Sequence, residues 1–288
     1  MPVMQQVWTA LRFSGLPFVL RHALQRRNVT VLCLHDPEPE VLSRQLDALA
    51  KRYSFIALSR YTDALRSGNL EALPHRALAV TFDDGHRGNF ALLDACRAHD
   101  VVPTVFLASS IVGTDRAFWW TQVPGGVAGA EHLKGEPDAA RVAALEAAGH
   151  SETEALPERS ALSGDELRAM DGAFDLQSHT RLHPILSRCS DDRAWDEIAG
   201  AKAELEGRFG LRVTALAYPN GTAADWGERE ASFAQRAGYR CAFSAMAGVN
   251  GAGTDPFRIH RIVIPDDASP DEAVVRSSLA HAFLKRLF

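Results

Sequence analysis

Two short segments, about a hundred residues apart, carry side chains suited to metal-assisted hydrolysis. The first reads Thr81-Phe82-Asp83-Asp84-Gly85; the second reads Ser178-His179-Thr180-Arg181-Leu182-His183-Pro184. Together they offer two adjacent carboxylates and two imidazoles in an i, i+4 relation. A mononuclear metal hydrolase needs three protein ligands, plus one carboxylate left over to act as base on the metal-bound water. Alone, an Asp-Asp-Gly turn is common at protein surfaces, and an HxxxH pair is most often two exposed helix residues. The conjunction is more specific, because each segment supplies what the other lacks.

The elements around these segments fit that chemistry. Ala77-Leu78-Ala79-Val80 is a continuous apolar run, the signature of a strand buried on both faces. Asp83 and Asp84 follow at its end, with Gly85 to let the chain turn sharply. Carboxylates at the C-terminal end of a buried parallel strand stand where α/β barrels place their chemistry. Phe174-Asp175-Leu176-Gln177 leads likewise into Ser178 and His179. If His179 and His183 flank one helical turn, both rings project from one side toward a single ion, and Pro184 ends the helix.

The rest of the chain alternates. A strand over 29–34 precedes a helix near 40–51, where Leu42, Leu46 and Leu49 recur at helical spacing. A helix near 88–99 follows the strand at 77–82, and another strand runs over 103–107. Ser163-Gly164-Asp165-Glu166 reads as a capping box. An amphipathic helix is expected over 190–209, stopped by Gly210, with later strands near 212–218, 239–243 and 259–264. Such alternation predicts an α/β fold: a parallel sheet curled into a distorted or incomplete (β/α) barrel.

At this point the residues resemble the polysaccharide deacetylase family, the NodB-homology enzymes of carbohydrate esterase family 4. Thr81 to Gly85 is similar to that family's first motif and His179 to His183 to its second. Leu32-Cys33-Leu34-His35, Pro103-Thr104-Val105-Phe106-Leu107 and Ala217-Tyr218-Pro219-Asn220-Gly221 resemble further family segments, so the likeness runs over residues 29 to 265. The resemblance implies Asp83 as general base and Asp84, His179 and His183 as ligands of one divalent ion. Zinc is the first choice for a His2Asp set, with Co, Ni, Mn or Fe able to substitute. It implies hydrolysis of an N-acyl group, with the oxyanion held by the ion and a backbone N–H near Asn220, and with Tyr218 and Pro219 shaping the substrate side.

The sequence departs from the family pattern in two places. The arginine of the third motif, which steers the base aspartate, falls on Ala217. Arg261, in Pro256-Phe257-Arg258-Ile259-His260-Arg261-Ile262, is expected to supply the guanidinium from a later strand, ahead of Arg258. His260 lies roughly where the family's general-acid histidine is found, and reads either as that acid or as a packed histidine. Asp225-Trp226 sits too close behind Pro219 for a fourth motif, so Trp226 reads as a packing residue. His35 ends the first strand and so faces the same end as Asp83, where it touches substrate, orients a ligand or serves structure alone.

Composition agrees with an enzyme. At 288 residues and 46% hydrophobic content the chain can bury a sizeable core without a disulfide or metal to hold it. Its net charge of −5, with mixed signs and no basic stripe or phosphate loop, excludes a nucleic-acid footprint. Cys33, Cys96, Cys189 and Cys241 are widely spaced, which fits a reducing compartment. Residues 1–20 do not read as a secretory signal. The expectation is a cytoplasmic enzyme working on a biosynthetic intermediate, of undetermined oligomeric state.

Two regions stand outside the alternation. Residues 1–27 mix Val7, Leu11, Leu16, Phe18, Val19 and Leu20 with Arg12, Arg21, Arg26 and Arg27. They form either a basic amphipathic helix on a membrane surface or a helix that caps the barrel of residues 28–288. An insertion at 114–162 begins with Phe118-Trp119-Trp120, passes Gly125-Gly126 and is then rich in Ala and Glu. Such an insertion often builds a lid or substrate wall. Of Trp119 and Trp120, one is expected to face a sugar or acyl group and the other to plug the core. The reading that follows is a metal-dependent deacetylase of an N-acylated amino sugar. A deformylase or O-deacetylase acting on a lipid-linked glycoconjugate, and a non-catalytic carbohydrate-binding relative, are the alternatives.

Overall fold

A computed structural model describes residues 3–123 and 129–285. Its centre is one sheet of eight parallel strands: β1 (Thr30–Leu34), β2 (Ser54–Phe55), β3 (Ala77–Phe82), β4 (Thr104–Leu107), β5 (Asp175–Ser178), β6 (Ala215–Ala217), β7 (Cys241–Phe243) and β8 (Ile262–Val263). The order is β7-β6-β5-β4-β3-β1-β8, with β2 pairing on β3. Every residue of β1 and β3 is buried, as continuous apolar runs require when helices cover one face and the barrel interior the other.

The sheet curls until its edges nearly meet. Just before β8, Ile259 bridges to Phe243 of β7, while β8 pairs with β1. The segment 259–263 therefore joins the two edges and turns Arg261 into the interior, where it is 1% exposed. This is the incomplete (β/α) barrel that the alternation predicts, with its seam made by one short strand.

Helices form where spacing predicts them, with instructive differences. The Leu42, Leu46 and Leu49 face lies in a helix over Pro39–Ala50, all three side chains buried. The Ser163–Glu166 capping box is formed reciprocally and starts a helix over Gly164–Met170. The region near 88–99 is a 3-10 turn over Arg87–Leu92 followed by a short helix, Leu93–Ala98. The long helix expected over 190–209 is interrupted by a π-turn over Asp196–Gly200, which sets Glu197 into the interior at 0% exposure.

The N-terminal segment is two helices, α1 (Val3–Phe13) and α2 (Leu16–Leu24), broken at Gly15, whose φ of 81° is left-handed. Trp8 and Leu20 pack with Val275 and Ala280. Thr9 Oγ1 donates to Asp271 at 2.6 Å, and Arg12 pairs with the same carboxylate. The insertion folds around a helix over Asp138–Ala147 and returns to the barrel through a bridge between Ala161 and His86. Gly125-Gly126 lies outside the described residues.

Candidate active site

β3 ends in a turn that takes two left-handed residues in succession, Asp84 at φ 72° and Gly85 at φ 78°. At Gly85 a Cβ would meet Leu107 Cδ2 at 2.8 Å and Val112 Cγ1 at 2.9 Å, so close packing as well as φ demands glycine. At Asp84 the same conformation costs about 1–2 kcal/mol. Backbone bonds offset it: Asp83 N–H donates to Leu34 O at 3.0 Å, and Ala108 N–H to Asp84 O at 3.2 Å. Both carboxylates reach His179, Asp83 Oδ2 at 3.7 Å and Asp84 Oδ1 at 3.4 Å from its Nε2.

The histidine segment differs from the helical reading. After Ser178 the chain follows a loop with left-handed residues at Thr180 (φ 65°) and His183 (φ 57°). This loop still brings the rings together, their centroids 4.7 Å apart at 70° to one another. His179 Nδ1 lies 2.8 Å from Ala217 O. A carbonyl oxygen only accepts, so Nδ1 carries a proton and Nε2 is the nitrogen turned to the site. Burial pushes the pKa of His183 down to about 3, so its imidazole is neutral.

Asp84 Oδ1 completes the constellation. It lies 3.4 Å from Nε2 of His179 and 3.4 Å from Nε2 of His183, and it is buried without a hydrogen-bond partner. One atom each from Asp84, His179 and His183 lie within 4.8 Å of one another. A tetrahedral ion with bonds of about 2.0–2.1 Å spaces its ligands by about 3.4 Å, so an orphaned carboxylate oxygen at this distance from two imidazole nitrogens fits a divalent metal.

Asp83 is held differently. Arg261 NH1 donates to Oδ1 at 2.6 Å and NH2 to Oδ2 at 2.8 Å, while Arg261 Nε donates to Ser244 O at 2.9 Å. Burial pushes the Asp83 carboxyl up, but the Arg261 guanidinium and then His179 outweigh it and leave the pKa at about 2. Arg261 stands where the sequence expects a substitute for the arginine missing at Ala217. Arg258 instead lies outside, near Glu228 and Asp255.

These groups open onto a cavity of about 550 Å³, lined among others by His35, Trp120, Asn220, Lys134, Asp36 and Asp266. Trp120 packs its ring on His183 at 4.6 Å and faces the cavity. Trp119 is buried among Val123, Ala130, Leu133 and Leu145 of the insertion, and its Nε1 donates to His183 O at 3.0 Å. The pair thus divides between a half-buried ring on the cavity and a fully buried one. Asn220 (φ 59°) reaches the cavity, with its amide tied to Asp225 at 2.7 Å.

Three expected residues stand elsewhere. Tyr218 is buried, stacks on Trp226 at 4.5 Å and donates its hydroxyl to Phe257 O, making it a core post; Pro219 is not among the lining residues. His260 is not among them either: its backbone N–H donates to Asn250 Oδ1 at 2.9 Å, and its ring lies where a Cβ on Gly248 would meet it at 2.6 Å. His86, which no sequence motif marks, also reaches the site. Its Nε2 is 3.1 Å from Asp84 Oδ2, and its ring packs on Phe118 at 4.6 Å. Its place one residue beyond Gly85, inside the same turn, was the available signal.

The loop carrying His183 is backed by buried charge. Glu197 Oε2 accepts the N–H groups of Arg181 and Leu182 at 2.8 and 2.9 Å. Arg193 bridges Glu197 at 3.2 Å to Glu152 at 3.0 Å, and Glu152 also pairs with Arg141. Arg141 covers the face of Trp119 at 4.7 Å and pairs with Asp138 at 2.6 Å. No sequence motif marks this network.

Comparison with known proteins agrees with the geometry. A family model described as polysaccharide deacetylase matches residues 71–242. No curated protein sequence matches. The structure is similar to IcaB from Ammonifex degensii (TM-score 0.64, 18% identity, 88% of this chain and 99% of that one). It is also similar to the Streptococcus pyogenes deacetylase PplD in complex with acetate (TM-score 0.63, 17% identity, 87% and 98%). A de-N-acetylase from Aggregatibacter actinomycetemcomitans gives a TM-score of 0.59 at 15% identity over 84% and 97% of the two chains. At such identities the structural likeness speaks for the fold, a curled parallel sheet with flanking helices, and the family model speaks for descent. With more than half its length matched, this chain belongs to the polysaccharide deacetylase family.

Proposed function

We propose that the protein is a metal-dependent hydrolase that removes an acyl group, most simply acetyl, from the nitrogen of an amino sugar. The observation that carries this reading is the orphaned Asp84 Oδ1 between two imidazole Nε2 atoms, beside a second carboxylate clamped by arginine. Asp84, His179 and His183 would hold one divalent ion, with zinc the first choice for two imidazoles and a carboxylate. Bound there, the ion would polarise the acyl carbonyl and acidify water.

The chain's own residues supply the rest. Asp83, ionised throughout the neutral range, accepts a proton from the attacking water, and Arg261 fixes the plane of its carboxylate. A backbone N–H near Asn220 stabilises the oxyanion. The departing amine needs a proton, and His260 is placed away from the cavity. His35 lines it, with a ring nitrogen within 4.8 Å of an Asp83 oxygen, and takes that role. Trp120 offers an aromatic face for a sugar ring or acyl group.

The test is metal content of the purified protein together with acetate release from N-acetylglucosamine oligomers, before and after chelation. Close to one ion per chain and chelator-sensitive release are expected. Reconstituted protein that takes up no ion would sink the reading, and metal without release from any N-acetylated or O-acetylated sugar would leave a binding protein.

A further inference from the structure

α2 reads Leu-Pro-Phe-Val-Leu-Arg-His-Ala-Leu and is apolar on both faces, yet its buried residues are Pro17, Leu20 and Arg21. Phe18 and Val19 face outward, 58% and 57% exposed. α1 likewise leaves Met4, Val7 and Phe13 exposed, and α2 ends with an exposed Leu24. Beside α2 packs the helix Ala280–Lys285, whose Phe283 is also exposed. Elsewhere among the described residues, exposed large apolar side chains are scattered singly. Exposed apolar side chains gathered on neighbouring helices mark an interaction site.

Charge selects what covers it. Residues 1–35 contain four arginines and no Asp or Glu. Arg12 is engaged by Asp271, and Arg21 is buried beside the Tyr53 ring. Arg26 and Arg27 are exposed just past α2, His22 lies on its outer face, and Lys285 ends the neighbouring helix exposed. Glu71, itself exposed, lies 3.8 Å from Arg27, and Asp271 and Glu272 lie on the helix Pro270–Ser277 packed against α1. An apolar patch rimmed by cations complements an anionic bilayer, whereas a second copy would set cation against cation. No helix among the described residues is long and apolar enough to cross a membrane, so the fit is to the interface.

We propose that α1, α2 and the helix Ala280–Lys285 form a docking surface for an anionic lipid bilayer, with Phe13, Phe18 and Val19 entering the headgroup–acyl boundary and Arg26 and Arg27 meeting lipid phosphates. The proposal rests on no property of the cavity. Flotation of the full chain with phosphatidylcholine vesicles, with and without phosphatidylglycerol, tests it. Co-flotation with the anionic vesicles is expected, weakening as salt rises. The exposed double variant Phe18→Ser/Val19→Ser should lower partitioning by about tenfold or more, and Arg26→Glu/Arg27→Glu by less, each with wild-type circular dichroism. A wild-type protein that stays in the soluble fraction overturns the proposal, as does equal binding to neutral vesicles or undiminished binding by the serine variant. A wild-type dimer that the serine variant turns into a monomer, with no flotation, would assign the patch to a second copy instead.

Discussion

The two walls of the cavity hold groups of similar chemistry by different means. On one side, Asp83 leaves the end of β3, and Arg261 enters from the segment leading to β8, both strands being neighbours of β1. Two charge-assisted bonds and the strand ladders define the base, with little contribution from loops. On the other side, His183 sits in a loop with left-handed residues at Thr180 and His183, whose backbone is tied to the segment after β4 only as far as Arg181, through Ser109 N–H to Thr180 O and Ser110 N–H to Arg181 O. Its position depends on Trp119 at its carbonyl, on Glu197 beneath the preceding amides and on the Arg141, Glu152 and Arg193 charges that tie both to the insertion. The Asp83 carboxylate is placed by the barrel alone, whereas the His183 loop is braced both by the barrel's Glu197 and by Trp119 of the insertion. The insertion, expected as a lid or substrate wall, is thus joined to the frame through Trp119, Arg141 and Glu152.

That contrast can be broken at either wall. The largest effect is expected from Asp83→Asn, which keeps the shape but removes the proton acceptor: kcat should fall by about 10³-fold or more while metal content stays at the wild-type level. Activity surviving within about tenfold would remove Asp83 from the base role. His183→Ala should act in the opposite way, lowering metal affinity by about a hundredfold or more as read by chelator competition. Unchanged occupancy would take His183 out of the ligand set.

Arg261→Met tests whether the first wall is structural as well as chemical. It strands a buried carboxylate and should cost about 3–5 kcal/mol of stability at neutral pH, measured by denaturant unfolding. The pH dependence has a definite sign. Asp83 is held near pKa 2 against an ordinary 3.8, so its stabilising contribution is complete above about pH 4 and is lost as pH falls through about 2. The Met variant should lose that part of the acid limb, and an unaltered acid profile would contradict the pairing.

Trp119→Phe is the mildest. It keeps the packed ring and deletes the N–H that meets His183 O, so metal affinity should weaken by about ten- to a hundredfold while kcat of the fully loaded enzyme stays close to wild type. If affinity is untouched, the insertion does not buttress the loop. Glu197→Gln, which also acts through the backbone of this loop, separates a local packing effect at Trp119 from the network.

Local pattern made much of this legible. The buried run before Asp83, the capping box at Ser163 and the Leu42, Leu46 and Leu49 stripe each depend on neighbours within a few residues, and each element forms where expected. Arg261 was expected because the family's third-motif arginine falls on Ala217 and a later segment carries a guanidinium; in the structure it meets Asp83. His260 misled because a place beside Arg261 in the chain does not fix where its ring lies, which is against Gly248 and away from the cavity. The helix inferred between His179 and His183 failed because a four-residue spacing is also compatible with a loop turned by two left-handed residues.

By itself, then, the sequence determined the alternation of elements, the apolar strands that become the barrel's interior and the identities of the two carboxylates and two imidazoles, since residue type and short-range spacing are written directly in the chain. Only the tertiary structure decided which oxygen of Asp84 faces both rings, that Arg261 closes the barrel seam onto Asp83, and that Trp119 and Glu197 brace His183. Those relations join residues far apart in the chain, and they exist only where the curl of the sheet and the packing of the insertion bring them within bonding distance.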